Sequence, residues 1–354
     1  MTSPAGGAVP VALGRRDRAP GPMPTGGPLV DRFGRVHTDL RISVTDRCNF
    51  RCVYCMPEEG VPFLPRAEIL SYEEIARVAR VARELGVQSV RFTGGEPLLR
   101  HHVADLVGMV AALGFDDVAL TTNGTGLATL APRLAAAGLQ RVNISCDSLR
   151  PERFAAIRRR GDLATVLGAM DAAEAAGLTP VKVNVVVLAG VNDDEVVDFA
   201  GFARDTGRLV RFIEYMPLDA GGGWRRDEVV PAADILAAIA ARWPLEPQAP
   251  TPGDPAPAEV YRFADGAGAI GVVASVTRPF CGTCNRLRLT ADGSVRNCLF
   301  SDDERSVRAV LRSGGGDDEV AAVLRQAVWG KHPGHGINDP GFLRPSRSMS
   351  MIGG

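Results

Sequence analysis

Between about residues 38 and 216 the chain alternates strand-like and helix-like segments, and this alternation restricts the fold more than any other feature. Runs rich in β-branched residues at 40–45, 88–93, 117–122, 141–146, 181–188 and 209–214 predict six strands. Helical patterns lie between them. Ser71-Tyr72-Glu73-Glu74 opens one as a capping box, and it stops at Gly86. Others run near 101–113, 129–137, 151–176 (broken near Gly161) and 193–205. Such repeats build parallel sheets, because parallel neighbours need a crossover long enough to hold a helix. Six units predict an α/β fold, an incomplete (β/α)6 TIM-type barrel rather than the closed eight-fold form. An open barrel leaves a lateral mouth for another part of the chain to cover.

Composition changes after Pro217. Gly221-Gly222-Gly223 is a break, and 247–258 is rich in Pro and Ala. Strands are predicted at 259–263 and 269–276, and a hairpin over 287–296 turns at Asp292-Gly293. Helices are predicted at 303–312 and 317–328. The expected organisation is a disordered tail at 1–28, a barrel core at 29–240, a linker loop at 241–258, a smaller C-terminal α+β domain at 259–330 covering the open side, and a tail at 331–354 ending in Gly-Gly.

Seven cysteines is an odd number and six of them are clustered, which favours metal ligation in a reducing compartment over a secreted disulfide framework. Cys48, Cys52 and Cys55 form C-x3-C-x2-C; Cys281, Cys284 and Cys298 form C-x2-C-x13-C. Cys146 lies in an apolar-alternating run and reads as an inert buried thiol. Each trio is one thiolate short of the four that saturate a four-iron cluster, so each leaves an iron free to bind a small molecule. Zinc fits the first trio poorly, since the spacing is not that of zinc fingers and no fourth ligand is close in sequence. The second trio could still recruit His332 or His335 for zinc.

Lys+Arg 40 against Asp+Glu 41 argues against a protein that coats nucleic acid. No run of 18 apolar residues predicts a membrane span, and no apolar leader core follows the N-terminal arginines. With unpaired cysteines, this reads as a cytoplasmic protein. Any anionic ligand must be held by locally placed cations. Strand alternation puts Arg41, Ser43 and Thr45 on one face, with Arg91 and Thr93, Lys182 and Asn184, and Arg211 on the corresponding faces of their strands. Cations converging inside a barrel are costly unless a polyanion enters between them. The alternative, that individual cations face helices or pair with carboxylates, stays open at this level. There is no G-x4-G-K-[ST] loop to cradle a nucleotide.

Cys48-x3-Cys52-Val53-Tyr54-Cys55 resembles the signature of the radical S-adenosylmethionine (SAM) superfamily, and Gly94-Gly95-Glu96-Pro97 resembles that family's grip on the methionine amine. In that family SAM chelates the open iron and is cleaved reductively to a 5′-deoxyadenosyl radical. Thr121-Thr122-Asn123-Gly124, Ser145-Cys146-Asp147-Ser148 and Glu214-Tyr215-Met216-Pro217 end the third, fourth and sixth predicted strands, on the same barrel edge. The segment from Cys281 to Arg288, Cys298, and the tail through Pro333-Gly334-His335 and Arg344-Pro345-Ser346-Arg347 to Gly353-Gly354 are similar to the GTP 3′,8-cyclases of molybdenum cofactor biosynthesis.

That resemblance implies two [4Fe-4S] clusters, on Cys48, Cys52 and Cys55 and on Cys281, Cys284 and Cys298. It implies SAM contacts from Tyr54, Gly95, Ser145 and Met216, and GTP contacts from Arg41, Arg91, Thr122, Lys182, Arg286 and Arg288. Gly353 and Gly354 would act in the reaction, inserted toward the active site. The product would be the 3′,8-cyclised nucleotide. Implied partners are cyclic pyranopterin monophosphate synthase, an external one-electron reductant and a homodimeric copy, with no nucleic acid and no membrane. A radical SAM enzyme acting on peptides, and a non-catalytic iron–sulfur or zinc module, are the competing expectations.

Overall fold

A computed structural model describes residues 21–249 and 257–353. Twelve strands among them are β1 (Asp39–Ser43), β2 (Ser89–Thr93), β3 (Asp117–Thr122), β4 (Arg141–Ser145), β5 (Lys182–Val187), β6 (Leu209–Glu214), β7 (Leu245–Pro247), β8 (Glu259–Phe263), β9 (Ala269–Val273), β10 (Arg286–Leu289), β11 (Ser294–Arg296) and β12 (Glu304–Ser306). The helices are α1 (Tyr72–Glu84), α2 (Val103–Ala111), α3 (Leu127–Ala136), α4 (Pro151–Arg158), α5 (Leu163–Ala175), α6 (Val196–Thr206), α7 (Ala232–Ala240), α8 (Val307–Arg312), α9 (Asp317–Trp329) and α10 (Met349–Ile352).

The six predicted strands pair in parallel and in chain order, β1 to β6. Ser71 caps α1 as expected: its hydroxyl accepts from Glu74 N at 3.1 Å while Ser71 N donates to the Glu74 carboxylate at 2.7 Å. The expected break near Gly161 separates α4 from α5; Gly161 has φ +83°, and a Cβ there would meet the Phe50 ring at 2.4 Å. Leu40, Ile42, Val90, Phe92, Val142, Ile144, Val183 and Val185 pack outward against the helices in the main core. That parity leaves Arg41, Ser43, Arg91, Thr93, Asn143, Asn184 and Arg211 on the lumen side.

The C-terminal strands join this sheet instead of forming a separate one. β10 runs parallel to β1 and β9 runs parallel to β6, so the later chain extends both edges of the six-stranded core. The order is β12-β11-β10-β1-β2-β3-β4-β5-β6-β9-β8-β7. The hairpin turning at Asp292-Gly293 joins β10 to β11. Residues 304–306, expected to open a helix, form β12; there the backbone pairs with β11 and Glu304 binds the fully buried Arg296 guanidinium. Helix α7 is not among the predicted helices; it buries Ala232, Ile235 and Ile239. The tail at 1–28 is described only from residue 21, and most of the Pro-rich segment and Gly354 lie outside the described residues.

Candidate functional site

The first cysteine trio occupies the loop after β1, at the C-terminal edge of the sheet. Cys55 N and Met56 N both donate to Cys52 O, at 2.9 and 3.0 Å, and Phe50 N donates to Cys48 Sγ at 3.4 Å. The loop is docked on the end of α4 by Arg51 N to Arg158 O and Val53 N to Ile157 O. Burial pushes the Cys48 thiol up to about 12 and raises Cys55 as well. Such thiols ionise when a metal takes the place of the proton.

Gly94-Gly95-Glu96 lies alongside this loop. Gly95 N donates to Thr45 O and Glu96 N to Arg47 O, each at 2.7 Å. A Cβ on Gly95 would stand 2.3 Å from Arg47 O, so no other residue fits without moving the backbone. The fully buried Glu96 carboxylate accepts from Thr122 Oγ1 and Asn123 N, each at 2.7 Å, and from Leu98 N at 3.0 Å. Burial outweighs these donors and raises its pKa to about 7, so a cation arriving beside it would favour the ionised form. Thr122 thus places its hydroxyl on Glu96, which the sequence did not suggest.

Tyr54 donates its hydroxyl to Asp147 at 2.8 Å. Ser145 ends β4, and Met216 lies just beyond β6. Both face the same cavity as Tyr54 and Gly95.

The second trio is set at the opposite sheet edge. Cys281 and Cys284 bound a single turn before β10, and Cys298 follows β11. Arg35, anchored on Asp31 at 2.5 Å, donates to Cys281 O at 2.6 Å and His332 O at 2.7 Å, tying the chain start to this turn. Lys331 Nζ donates to Cys284 Sγ at 3.3 Å and to Arg286 O at 2.9 Å. Burial would raise the Cys284 thiol, but Arg286 and Lys331 outweigh it and bring it down to about 6. His335 packs against the Phe300 ring, with centroids 4.5 Å apart.

Between the trios lies a cluster of cations. Arg41, Arg91, Arg211, Arg286 and Arg288 line one cavity, and desolvation by burial lowers the pKa of Arg41, Arg91, Arg211 and Arg288. The Nε atoms of Arg41 and Arg91 are buried and have no hydrogen-bond partner among the described residues. Asp39 approaches Arg41 at 3.6 Å. Burial works against the Asp39 charge, yet Arg41, Arg91, Arg286 and Arg288 together hold its carboxyl below the usual range. Among the described residues Arg91, Arg211, Arg286 and Arg288 form no ion pair with a carboxylate. Arg211 instead donates twice to Asn184 Oδ1, at 3.0 and 2.7 Å. Lys182 stands at the start of β5, outside the cavity wall. Burial and the charges of Arg141, Arg211 and Arg91 lower its pKa to about 8. Arg141 is spoken for by a two-pronged ion pair with Asp117.

The tail closes the site from within. Met349 N donates to Leu218 O at 2.9 Å, α10 follows, and Gly353 reaches the barrel lumen with φ +81°. Arg288 Nη1 donates to Gly353 O at 2.5 Å. A Cβ on Gly353 would meet Thr93 Oγ1 at 2.5 Å and Ser43 Cβ at 2.8 Å. Arg347 holds the tail by Asp292 at 2.9 Å and Glu304 at 2.8 Å.

All six clustered cysteines and the five arginines line one cavity of about 280 Å³. All seven cysteines are free, and Cys146 is buried away from it. Among the described residues no three His, Cys, Asp or Glu side chains converge closely enough to hold a single metal ion. Three thiols at each end of the cavity are donors of the kind that would hold an iron–sulfur cluster.

The Radical SAM superfamily model matches residues 42–203, and Molybdenum Cofactor Synthesis C matches residues 209–337. The chain is 52% identical over 338 residues to a GTP 3′,8-cyclase 2 of Mycobacterium bovis, covering 94% of each chain. It is 50% identical over 348 residues to a GTP 3′,8-cyclase of a Mycobacterium species (strain KMS), covering 98% of this chain and 99% of the relative. The chain belongs to the GTP 3′,8-cyclase family of radical SAM enzymes. Solved structures share the fold at low identity. The SAM-bound anSMEcpe aligns with TM-score 0.56 and 16% identity over 85% of this chain and 79% of its own. SuiB of Streptococcus suis with SAM aligns with TM-score 0.56 and 12% identity over 79% of this chain and 61% of its own.

Two residues of this cyclase-family site escaped the sequence reading. Arg158 and Lys331 each donate to one clustered cysteine, yet one ends a helix and the other sits in a loop, where an isolated cation carries no signal. Glu96 was visible only as part of its glycine-rich motif. Among the described residues no helix is long and apolar enough to cross a membrane.

Proposed function

We propose that the chain converts GTP to (8S)-3′,8-cyclo-7,8-dihydroguanosine 5′-triphosphate, a step of molybdenum cofactor biosynthesis, using SAM and two [4Fe-4S] clusters. The observation that carries this reading is the cavity walled by both cysteine trios and by Arg91, Arg211, Arg286 and Arg288, which lack carboxylate partners among the described residues. When bound at Cys48, Cys52 and Cys55, a cluster with SAM supplies the reducing electron and the carbon-centred radical for hydrogen abstraction.

The chain's residues then bind, orient and shield. Glu96, ringed by Thr122, Asn123 and Leu98, takes the methionine ammonium, and the bare backbone of Gly95 lets it approach. Tyr54, Ser145 and Met216 border the rest of SAM. Arg41, Arg91, Arg286 and Arg288 hold the triphosphate, whose charge relieves the burial of unpaired guanidiniums. Lys182 reinforces them from below the cavity wall, and Thr122 acts through Glu96. Cys281, Cys284 and Cys298 would hold the second cluster, which would supply an iron site for the guanine. Gly353 fills the lumen beside Ser43 and Thr93 and keeps water from the reacting carbon, and Gly354 is proposed to act with it. An external reductant feeds the site, cyclic pyranopterin monophosphate synthase consumes the product, and a homodimer is the expected assembly.

Anaerobic incubation with GTP, SAM and dithionite, followed by mass spectrometry, tests the reading. The cyclised nucleotide and GTP-dependent 5′-deoxyadenosine are expected, with about eight irons per chain. Four irons with one zinc, or deoxyadenosine formation indifferent to GTP, would count against it.

A further inference from the structure

Arg158 ends α4 with its guanidinium buried at 3% side-chain exposure, in contact with one iron-site thiol. Its Nη1 donates to Cys52 Sγ at 3.1 Å, and its Nη2 lies 2.7 Å from Asp147 Oδ2. The Phe50, Tyr54 and Phe154 rings lie around it, 5.8, 5.8 and 6.0 Å from the guanidinium carbon. Asp147 is itself immobilised: its Oδ1 accepts from Val186 N at 2.9 Å and its Oδ2 from Tyr54 at 2.8 Å. A buried cation with aromatic walls and a fixed carboxylate has little freedom to leave the sulfur.

Reduction adds an electron to a cluster and places more negative charge on its sulfurs. A positive donor on one sulfur stabilises the reduced form, and a carboxylate behind that donor weakens the effect. Resting on the radical SAM reading of the first trio, we infer that Arg158 is a positioning residue that sets the reduction potential of the cluster held by Cys48, Cys52 and Cys55, with Asp147 as its counterweight. The pair works as an opposed couple. Arg158 pulls the potential upward and Asp147 limits how far.

The test is a dithionite titration of the full chain, reconstituted with iron and sulfide and followed by electron paramagnetic resonance. The signal to follow is the one that changes on adding SAM. Arg158→Met should make reduction at least tenfold less favourable, a shift of about 59 mV to more negative potential for one electron. Asp147→Asn should move the potential the other way, and Arg158→Lys should recover part of the loss. A purely structural role predicts no such opposition of sign. Unchanged potential in Arg158→Met at full iron content overturns the proposal, as do shifts of both variants in one direction. If Arg158→Met alone fails to bind iron, the sign in Asp147→Asn decides. Loss of iron in both makes the pair scaffolding and overturns the tuning role. A wild-type chain with no SAM-responsive signal instead overturns the reading of the site itself, and the proposal with it.

Discussion

The two cysteine trios carry equal numbers of thiols in opposite electrostatic surroundings. At the first, Arg158 is neutralised by Asp147, and burial holds the Cys48 thiol up to about 12. At the second, Lys331 and Arg286 face Cys284 with no carboxylate partner among the described residues, and its thiol falls to about 6. The contrast suits two kinds of ligand. SAM carries a sulfonium and an ammonium against one carboxylate, a net positive charge, and in the proposed reading the buried Glu96 carboxylate takes its ammonium. A nucleoside triphosphate brings several negative charges, which the unpaired arginines between the trios can receive. Equal cysteine counts therefore do not imply equal roles.

Removing a thiol from each end gives the largest expected effect. Cys52→Ala should abolish both SAM cleavage and cyclisation. Cys284→Ala should abolish cyclisation while deoxyadenosine formation remains detectable by chromatography. If Cys284→Ala also stops SAM cleavage, the two ends do not act separately. Next comes the tail: Gly353→Val would force a side chain against Ser43 and Thr93. Cyclisation should fall about 100-fold, or roughly 2.7 kcal/mol, while iron content holds. Deleting Gly353-Gly354 should have the same outcome, and full turnover in either variant would make the tail incidental.

Arg91→Ala and Arg288→Ala should each weaken GTP binding about 10- to 100-fold, the range for a charge-assisted hydrogen bond. Calorimetry should find SAM affinity unchanged. Equal losses for both ligands would erase the division between the SAM and polyanion ends.

The smallest effect concerns pH. The Lys182 pKa is lowered to about 8 in the free chain, and a bound triphosphate would raise it. Below about 8 the lysine is already charged; above it, binding must take up a proton. GTP affinity should thus fall by up to about tenfold per pH unit past that point, and Lys182→Arg should flatten the profile. Without ligand the sign reverses. The folded chain binds fewer protons than the unfolded chain between about 8 and the ordinary 10.5, so this group's contribution to stability rises with pH across that window.

Much of this site was legible because barrel geometry converts sequence parity into direction. Arg41 and Arg91 alternate with Leu40, Ile42, Val90 and Phe92, so placing the apolar residues against helices aimed the cations inward. The cysteine spacings carried the iron chemistry in the same local way. What stayed hidden depends on distant partners. β10 pairs with β1, and β9 with β6, across long stretches of intervening chain. Nothing in Arg286-Leu287-Arg288-Leu289 identifies its neighbour, so the second region read as a separate cover. Lys182 had the right parity but stands too near the strand start to reach the cavity wall. Glu304 drew its residues into a strand through Arg296, against the helical pattern.

The parallel pairing of β10 with β1 also governs the order in which the molecule can be finished. The earliest strand of the barrel waits for one of the latest, so an emerging nascent polypeptide carries a bare outer edge on β1 through most of its synthesis. Edges of that kind invite mispairing with other chains. The ribosome must release Arg286–Leu289 before this flank can seal, which makes late truncations a hazard to solubility as well as to catalysis.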